Sequence, residues 1–284
     1  MRELFKESCK ITNYNIILAV PLIVGIKILD LYTIFSRLHI DSNQKLLLAT
    51  VTLLFMSGVF CALWFYMVKG AVDLSKKVFV LDTDRANATL NLFKTIPEGI
   101  GKFFLSFVGV YVILFFIQIF LTPIVYLIGA NVIGALDDAS AQQLLQIASD
   151  PTIGANANMA TFVEQLTPSQ IMFFCEWSLL FMLATSVVMY LLMLWIPEII
   201  YKTPNPLVAL FRSIGKLFKD FWKTLGIFVS LWFVGFVLLF IYTFAVIYPI
   251  FYILVSIIMY YFIVYMTVLI FLYYDKKYVD CDEK

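Results

Sequence analysis

Four polar side chains stand inside otherwise apolar stretches, where a charge marks a functional candidate by default: Lys27, Asp30, Gln118 and Glu176. Counted from Asn13, Lys27 lies 14 residues on and Asp30 17, about 21 and 26 Å along a helix. Gln118, 15 residues past Phe103, falls at about 23 Å by the same rise, and Glu176, near the start of a later stretch, falls at similar depth. Two readings stay open. In one, the four converge on an outward-facing polar pocket where Lys27 holds an anionic headgroup or solute and desolvation keeps Glu176 protonated. In the other, Lys27 snorkels outward and pairs with Asp30 one turn away, while Gln118 and Glu176 simply reach the interface. Glu198, directly after Pro197, is expected to cap or orient the turn that follows it.

A second set, Arg212, Lys216, Lys219 and Lys223, accompanies a different pattern. Leu207, Leu210, Phe211, Ile214, Leu217, Phe218 and Phe221 keep the i, i+3, i+4, i+7 spacing of one helical face, with the basic residues mostly off it. Asn205-Pro206 supplies the helix start. Such a segment reads as an amphipathic helix in the headgroup plane, its basic residues contacting anionic lipid. Read differently, it is an elbow buried against the bundle. A helix with its apolar face on the bundle and its basic edge toward phosphates satisfies both.

Other chemistry is scarce. One histidine, His39, leaves little room for imidazole-based acid–base or metal chemistry. Cys9, Cys61, Cys175 and Cys281 are scattered without metal-binding or disulfide-framework spacing. Gly99-Ile100-Gly101 is too short for a phosphate loop. The expectation is no catalytic residue, no metal and no cofactor.

What must position these residues is a membrane bundle. The 284 residues are 62% hydrophobic and 14% charged, against about 45–50% apolar and about 25% charged in soluble domains. Spans of about 20 apolar residues occur at Tyr14–Phe35, Leu46–Val68, Phe103–Ala130 with Pro123 as a kink, and Thr167-Pro168 to Pro197. Thr224–Tyr274 has no charge over 51 positions; a single helix there would be about 76 Å long. It must fold back, and Tyr248-Pro249 is the natural break. The basic start and apolar run Ile16–Ile26 resemble a secretory signal, but no small-residue cleavage site follows, so a retained first span is expected.

Seventeen of the 20 basic residues fall in 1–13, 69–102, 202–223 and 275–284. The other side has Lys27, Arg37 and Lys45, and its 131–170 loop carries Asp137, Asp138, Asp150 and Glu164 without Lys or Arg. Both termini are therefore expected in the cytoplasm. Asn87-Ala88-Thr89 then faces the cytosol and reads as a chance glycosylation match. Trp64, Tyr66, Trp195, Tyr201, Trp222, Tyr273 and Tyr274 are expected as an aromatic belt at the inner boundary. Short helices are expected in the loop at 139–148 and 159–166.

The sequence also repeats. Leu4-Phe5-Lys6, Leu92-Phe93-Lys94 and Leu210-Phe211-Arg212 each stand ten residues before Tyr14, Lys102 and Asp220, where spans are expected to begin. This divides a single integral membrane domain, 1–284, into three hairpin-like units, about 1–85, 86–202 and 203–284. The expected fold class is all-α: a polytopic bundle of six transmembrane helices with interfacial amphipathic helices.

Ile196-Pro197-Glu198 through Pro206, the Leu207–Ser213 segment, Phe221-Trp222-Lys223 and the closing Phe271-Leu272-Tyr273-Tyr274-Asp275 resemble the six-span membrane domain attached to some bacterial glycerophosphodiester phosphodiesterases, and related uncharacterised membrane proteins. The likeness covers the C-terminal third; elsewhere it rests on the repeat. No soluble phosphodiesterase domain is in view, so the resemblance implies architecture and a bacterial plasma-membrane location and carries over no catalytic residue. Three classes of function compete. The leading one is a non-enzymatic membrane protein that organises lipids or membrane-protein partners, with anionic headgroups among its contacts and no nucleic acid. The alternative is a transporter or permease for a small solute or lipid, favoured by the repeat but without clear paired broken helices. An intramembrane enzyme comes third, for want of a catalytic pair deep in the layer.

Overall fold

A computed structural model describes residues 1–79, 81–135, 168–245 and 248–279, without the side chains of Asp82 and Ser169. The expected loop helices, the Thr167 cap and Cys281 lie outside the described residues. Every regular element among the described residues is helical. The chain opens with α1 (Arg2–Tyr14) and a 3-10 turn (Ile16–Leu18), then α2 (Ala19–His39) and α3 (Asn43–Ser75). A shorter α4 (Asp82–Leu90) runs through a 3-10 turn (Asn91–Thr95) into α5 (Ile96–Val132). After the loop come α6 (Pro168–Leu192), α7 (Trp195–Tyr201), α8 (Pro206–Lys219), α9 (Phe221–Ala245) and α10 (Pro249–Tyr274), closed by a π turn (Asp275–Val279).

Among the described residues, six stretches are long and apolar enough to cross a membrane: Ile16–His39, Asn43–Ser75, Thr83–Val132, Gln170–Tyr201, Phe221–Ala245 and Pro249–Val279. The protein is an all-α, multi-pass membrane bundle. The long apolar run breaks where expected, with Tyr248 as N-cap and Pro249 in the first turn of α10. Two helices outrun their apolar stretches. α3 continues past Val68 to Ser75 because Ala71 and Val72 are themselves buried, and α5 begins at Ile96, seven residues before Phe103.

Packing is concentrated toward the end that carries α1 and the π turn, called here the basic end. One core gathers Leu18, Trp64, Met67, Phe107, Trp195 and Phe271 from α3, α5, α7, α10 and the turn before α2. A second joins Tyr190, Leu217, Ile227 and Tyr274 from α6, α8, α9 and α10. Toward the other end, Leu31, Phe35, Phe120, Leu183 and Phe240 are exposed, as lipid-facing side chains are. One tight contact lies there. A methyl group on Gly129 of α5 would stand 2.4 Å from the ring of buried Trp177 on α6, so glycine lets the indole approach the helix this closely.

The expected aromatic belt needs correction. Trp64, Trp195, Tyr273 and Tyr274 are buried inside the bundle. Trp64 donates its indole N–H to the Leu18 carbonyl at 3.0 Å and Trp195 to that of Pro206 at 2.8 Å. Both acceptors sit at helix junctions, where a buried indole finds the partner it needs. Tyr66 and Tyr201 are half-buried, and Trp222 alone of the seven is exposed.

Candidate functional site

Of the four polar residues of the spans, the structure joins Lys27 and Asp30 by a direct contact, an ion pair at 3.5 Å along α2, both exposed. Gln118 donates to Thr122 Oγ1 at 3.1 Å on its own helix, and Glu176 is exposed on α6. Among the described residues, no hydrogen bond or ion pair links the α2 pair to Gln118 or Glu176. Lys27 instead lies within electrostatic reach of Tyr252 and Tyr260 on α10.

The basic set falls at the basic end, on and just after α8, and the local sequence explains why. Asn205 caps the helix, its side chain accepting from the N–H groups of Leu207 and Val208 at 3.1 and 3.2 Å, and Pro206 fills the first turn. Pro206 also seats the helix on the bundle, against Gly109 of α5. Three sides of α8 then differ. Ala209, Leu210, Ser213 and Leu217 are buried against the bundle. Leu207, Phe211 and Phe218 turn outward, Phe211 72% and Phe218 60% exposed, and Trp222 continues them at 81%. Arg212, Lys219 and Lys223 form an exposed basic edge. The seven-residue apolar face is thus split between protein and surroundings.

Lys216 belongs to neither exposed side. It turns inward, its Nζ 2.7 Å from Oε2 of Glu198, a carboxylate only 1% exposed at the start of α7. Tyr274 donates its hydroxyl to the same oxygen and accepts from Lys216 at 2.6 Å. The ammonium also faces the Tyr274 and Tyr278 rings, at 4.7 and 5.0 Å from their centroids. Tyr278 donates onward to Asp220 Oδ2 at 2.8 Å, and Lys277 sits 3.2 Å from the other oxygen. Burial pushes the Asp220 carboxyl upward, but the Tyr278 hydrogen bond and the Lys277 and Lys223 ammonium groups outweigh it and hold it below the ordinary carboxylate value. A second buried carboxylate, Asp275, pairs with Lys76 at 2.7 Å and ties the C-terminal turn to α3.

This network holds α7, α8 and the C-terminal turn in one arrangement. By spacing alone Lys216 suits a lipid contact and Glu198 a cap, 18 positions apart; the usable signal is that a carboxylate set among Ile196, Pro197, Ile199 and Ile200 needs a cationic partner. Among the described residues, no three His, Cys, Asp or Glu side chains gather where they could hold a metal ion. In comparisons with known proteins, no family model, no curated protein and no solved structure matches this chain.

Proposed function

We propose that this multi-pass membrane protein is non-enzymatic and organises lipids, or a membrane-protein partner, at the leaflet facing its basic end, with α8 as the in-plane contact helix. One observation carries the reading: on a helix already docked through Leu210 and Leu217, the large apolar side chains Phe211, Phe218 and Trp222 remain exposed beside the basic edge of Arg212, Lys219 and Lys223. An apolar side chain leaves water for about 1.5–3 kcal/mol, whereas a basic residue near an anionic surface adds about 1 kcal/mol. The aromatic side chains therefore decide that α8 enters the interface, and the charges decide which lipids it prefers.

The clustering of 17 of 20 basic residues at this end supports a cytoplasmic location for both termini, in a bacterial plasma membrane as the resemblance to the six-span domains implies. The triplets support three related units: Leu4, Leu92 and Leu210 turn toward the bundle, while Lys6, Lys94 and Arg212 are exposed.

The test uses the full-length protein with Trp222 as its only tryptophan, reconstituted into vesicles containing brominated lipids. Trp222 fluorescence should be quenched by bromines near the headgroup more than by bromines at chain ends. Replacing Phe211 and Phe218 by serine should abolish that quenching, whereas Arg212→Gln with Lys219→Gln should weaken it mainly on anionic vesicles at low salt. A Trp222 quenched by aqueous iodide and not by lipid would overturn the proposal.

A further inference from the structure

At the basic end, on walls that do not include α8, a cavity of about 240 Å³ opens between α1, the last turn of α3 and α4. Its charged walls are Lys10, Arg85 and Glu7. The Arg85 guanidinium carbon lies 4.0 Å from the ring centroid of Tyr14 and 5.5 Å from that of Phe79. Lying on those rings, the guanidinium keeps its planar fork in place and its N–H edges available. Lys10 approaches the same Tyr14 ring at 5.9 Å. Among the described residues neither Lys10 nor Arg85 enters an ion pair, whereas Glu7 is already engaged by Lys276. The back wall is braced: Thr89 donates to Asn15 at 3.2 Å, and Asn15 to the Ile11 carbonyl at 2.9 Å. Two cations are thus held about one ring, and the one carboxylate named in the wall, Glu7, is paired with Lys276.

We propose that this cavity binds a phosphate group, as carried by a phospholipid headgroup or by a small soluble phosphate. A forked donor beside a mobile point charge matches a tetrahedral anion with several acceptor oxygens, and the charge-assisted bonds it would accept are the strong ones. Near Phe79 of the wall in sequence, Val78 is 93% exposed and Leu81 is also exposed, apolar surface that would suit an acyl chain. The site is independent of α8, because Trp222 depth reports the one and phosphate binding the other.

The experiment measures binding to the purified full-length protein in a zwitterionic detergent, with three probes: dioctanoyl phosphatidic acid, dioctanoylglycerol and inorganic phosphate. Phosphatidic acid should bind saturably and dioctanoylglycerol should not. Lys10→Gln with Arg85→Gln should weaken phosphatidic acid binding about tenfold or more, the loss expected for charged hydrogen bonds. Lys94→Gln, an exposed basic change outside the cavity, should leave it alone, and Arg85→Lys should fall between. If inorganic phosphate binds as well as phosphatidic acid and loses affinity in the double variant, the phosphate site stands and its ligand is the soluble one. Equal binding of dioctanoylglycerol, or phosphatidic acid binding unchanged in a double variant that melts like wild type, would overturn the proposal.

Discussion

A carboxylate as buried as Glu198 is tolerable only because an ammonium and a phenol meet the same oxygen, and the two sides of that pair are not equally exposed. Lys216 is 24% exposed, enough for its chain to reach water if the partner is lost. Glu198 has no such exit. Lys216→Met should therefore destabilise the protein by on the order of 3 kcal/mol, as for other buried charges left without a partner, and Glu198→Gln by clearly less. Removing both charges should do less damage than Lys216→Met alone. Unfolding midpoints of the four proteins in one detergent check this, and equal losses for the two single variants would mean that the pair is not worked from the buried side.

Asp220 makes the same network sensitive to acid. Its folded-state carboxyl titrates below the unfolded value, which is about 4 for aspartate. Its contribution to stability is thus full above the unfolded value and disappears as pH falls through the lower folded one. The thermal midpoint should drop across that acid window, and Asp220→Asn should remove part of the drop while costing stability at neutral pH. A variant with an unchanged acid profile would mean that Asp220 adds nothing there.

At the scale of elements, helix pairs differ in what holds them. α8 docks through Leu210 and Leu217 and through its capped N-terminus on α5, so its anchoring depends on several small contributions. α5 and α6 meet at one tight point toward the other end, Gly129 against Trp177. Gly129→Ala would press a methyl into the indole, and overpacking of this kind typically costs about 1–3 kcal/mol. The expected result is a lowered midpoint, partly restored when Trp177 is shortened to leucine. Unaltered stability in Gly129→Ala would show that the two helices separate freely there.

At the scale of the molecule, an even number of spans leaves both termini on one side, and the basic residues select which side that is. Cys281 should react with a membrane-impermeant maleimide only after the cells are opened. A cysteine at Asp41, in the exposed turn between α2 and α3, should react in intact cells. Cys61, within α3 and 3.1 Å from the Tyr111 hydroxyl of α5, should resist in both conditions. Labelling of Cys281 in intact cells would invert the proposed orientation.

The six spans, the fold-back at Tyr248-Pro249 and the amphipathic run from Leu207 to Phe221 were legible in the amino-acid order, because hydropathy, helical period and proline act over a turn or two of chain. Lipid strengthens such local signals, since a backbone without water must satisfy itself within each helix. Which face of a helix meets which neighbour is a different matter. Lys216 looks like a surface lysine by its spacing, yet the packing of α7 and α10 beside α8 turns it inward to Glu198 and Tyr274. Trp64 and Trp195 suit an interface by composition, yet carbonyls at distant helix junctions draw them into the core. For Lys27, Asp30, Gln118 and Glu176, counting along a helix supplies depth alone, and the contacts found there, Lys27 to Asp30 and Gln118 to Thr122, run along single helices. Lys10 and Arg85, 75 positions apart, meet over Tyr14 only because α1 and α4 close on the end of α3. Rotation of one helix about its axis relative to the next is set by side-chain packing between them, and that information is spread over the whole chain.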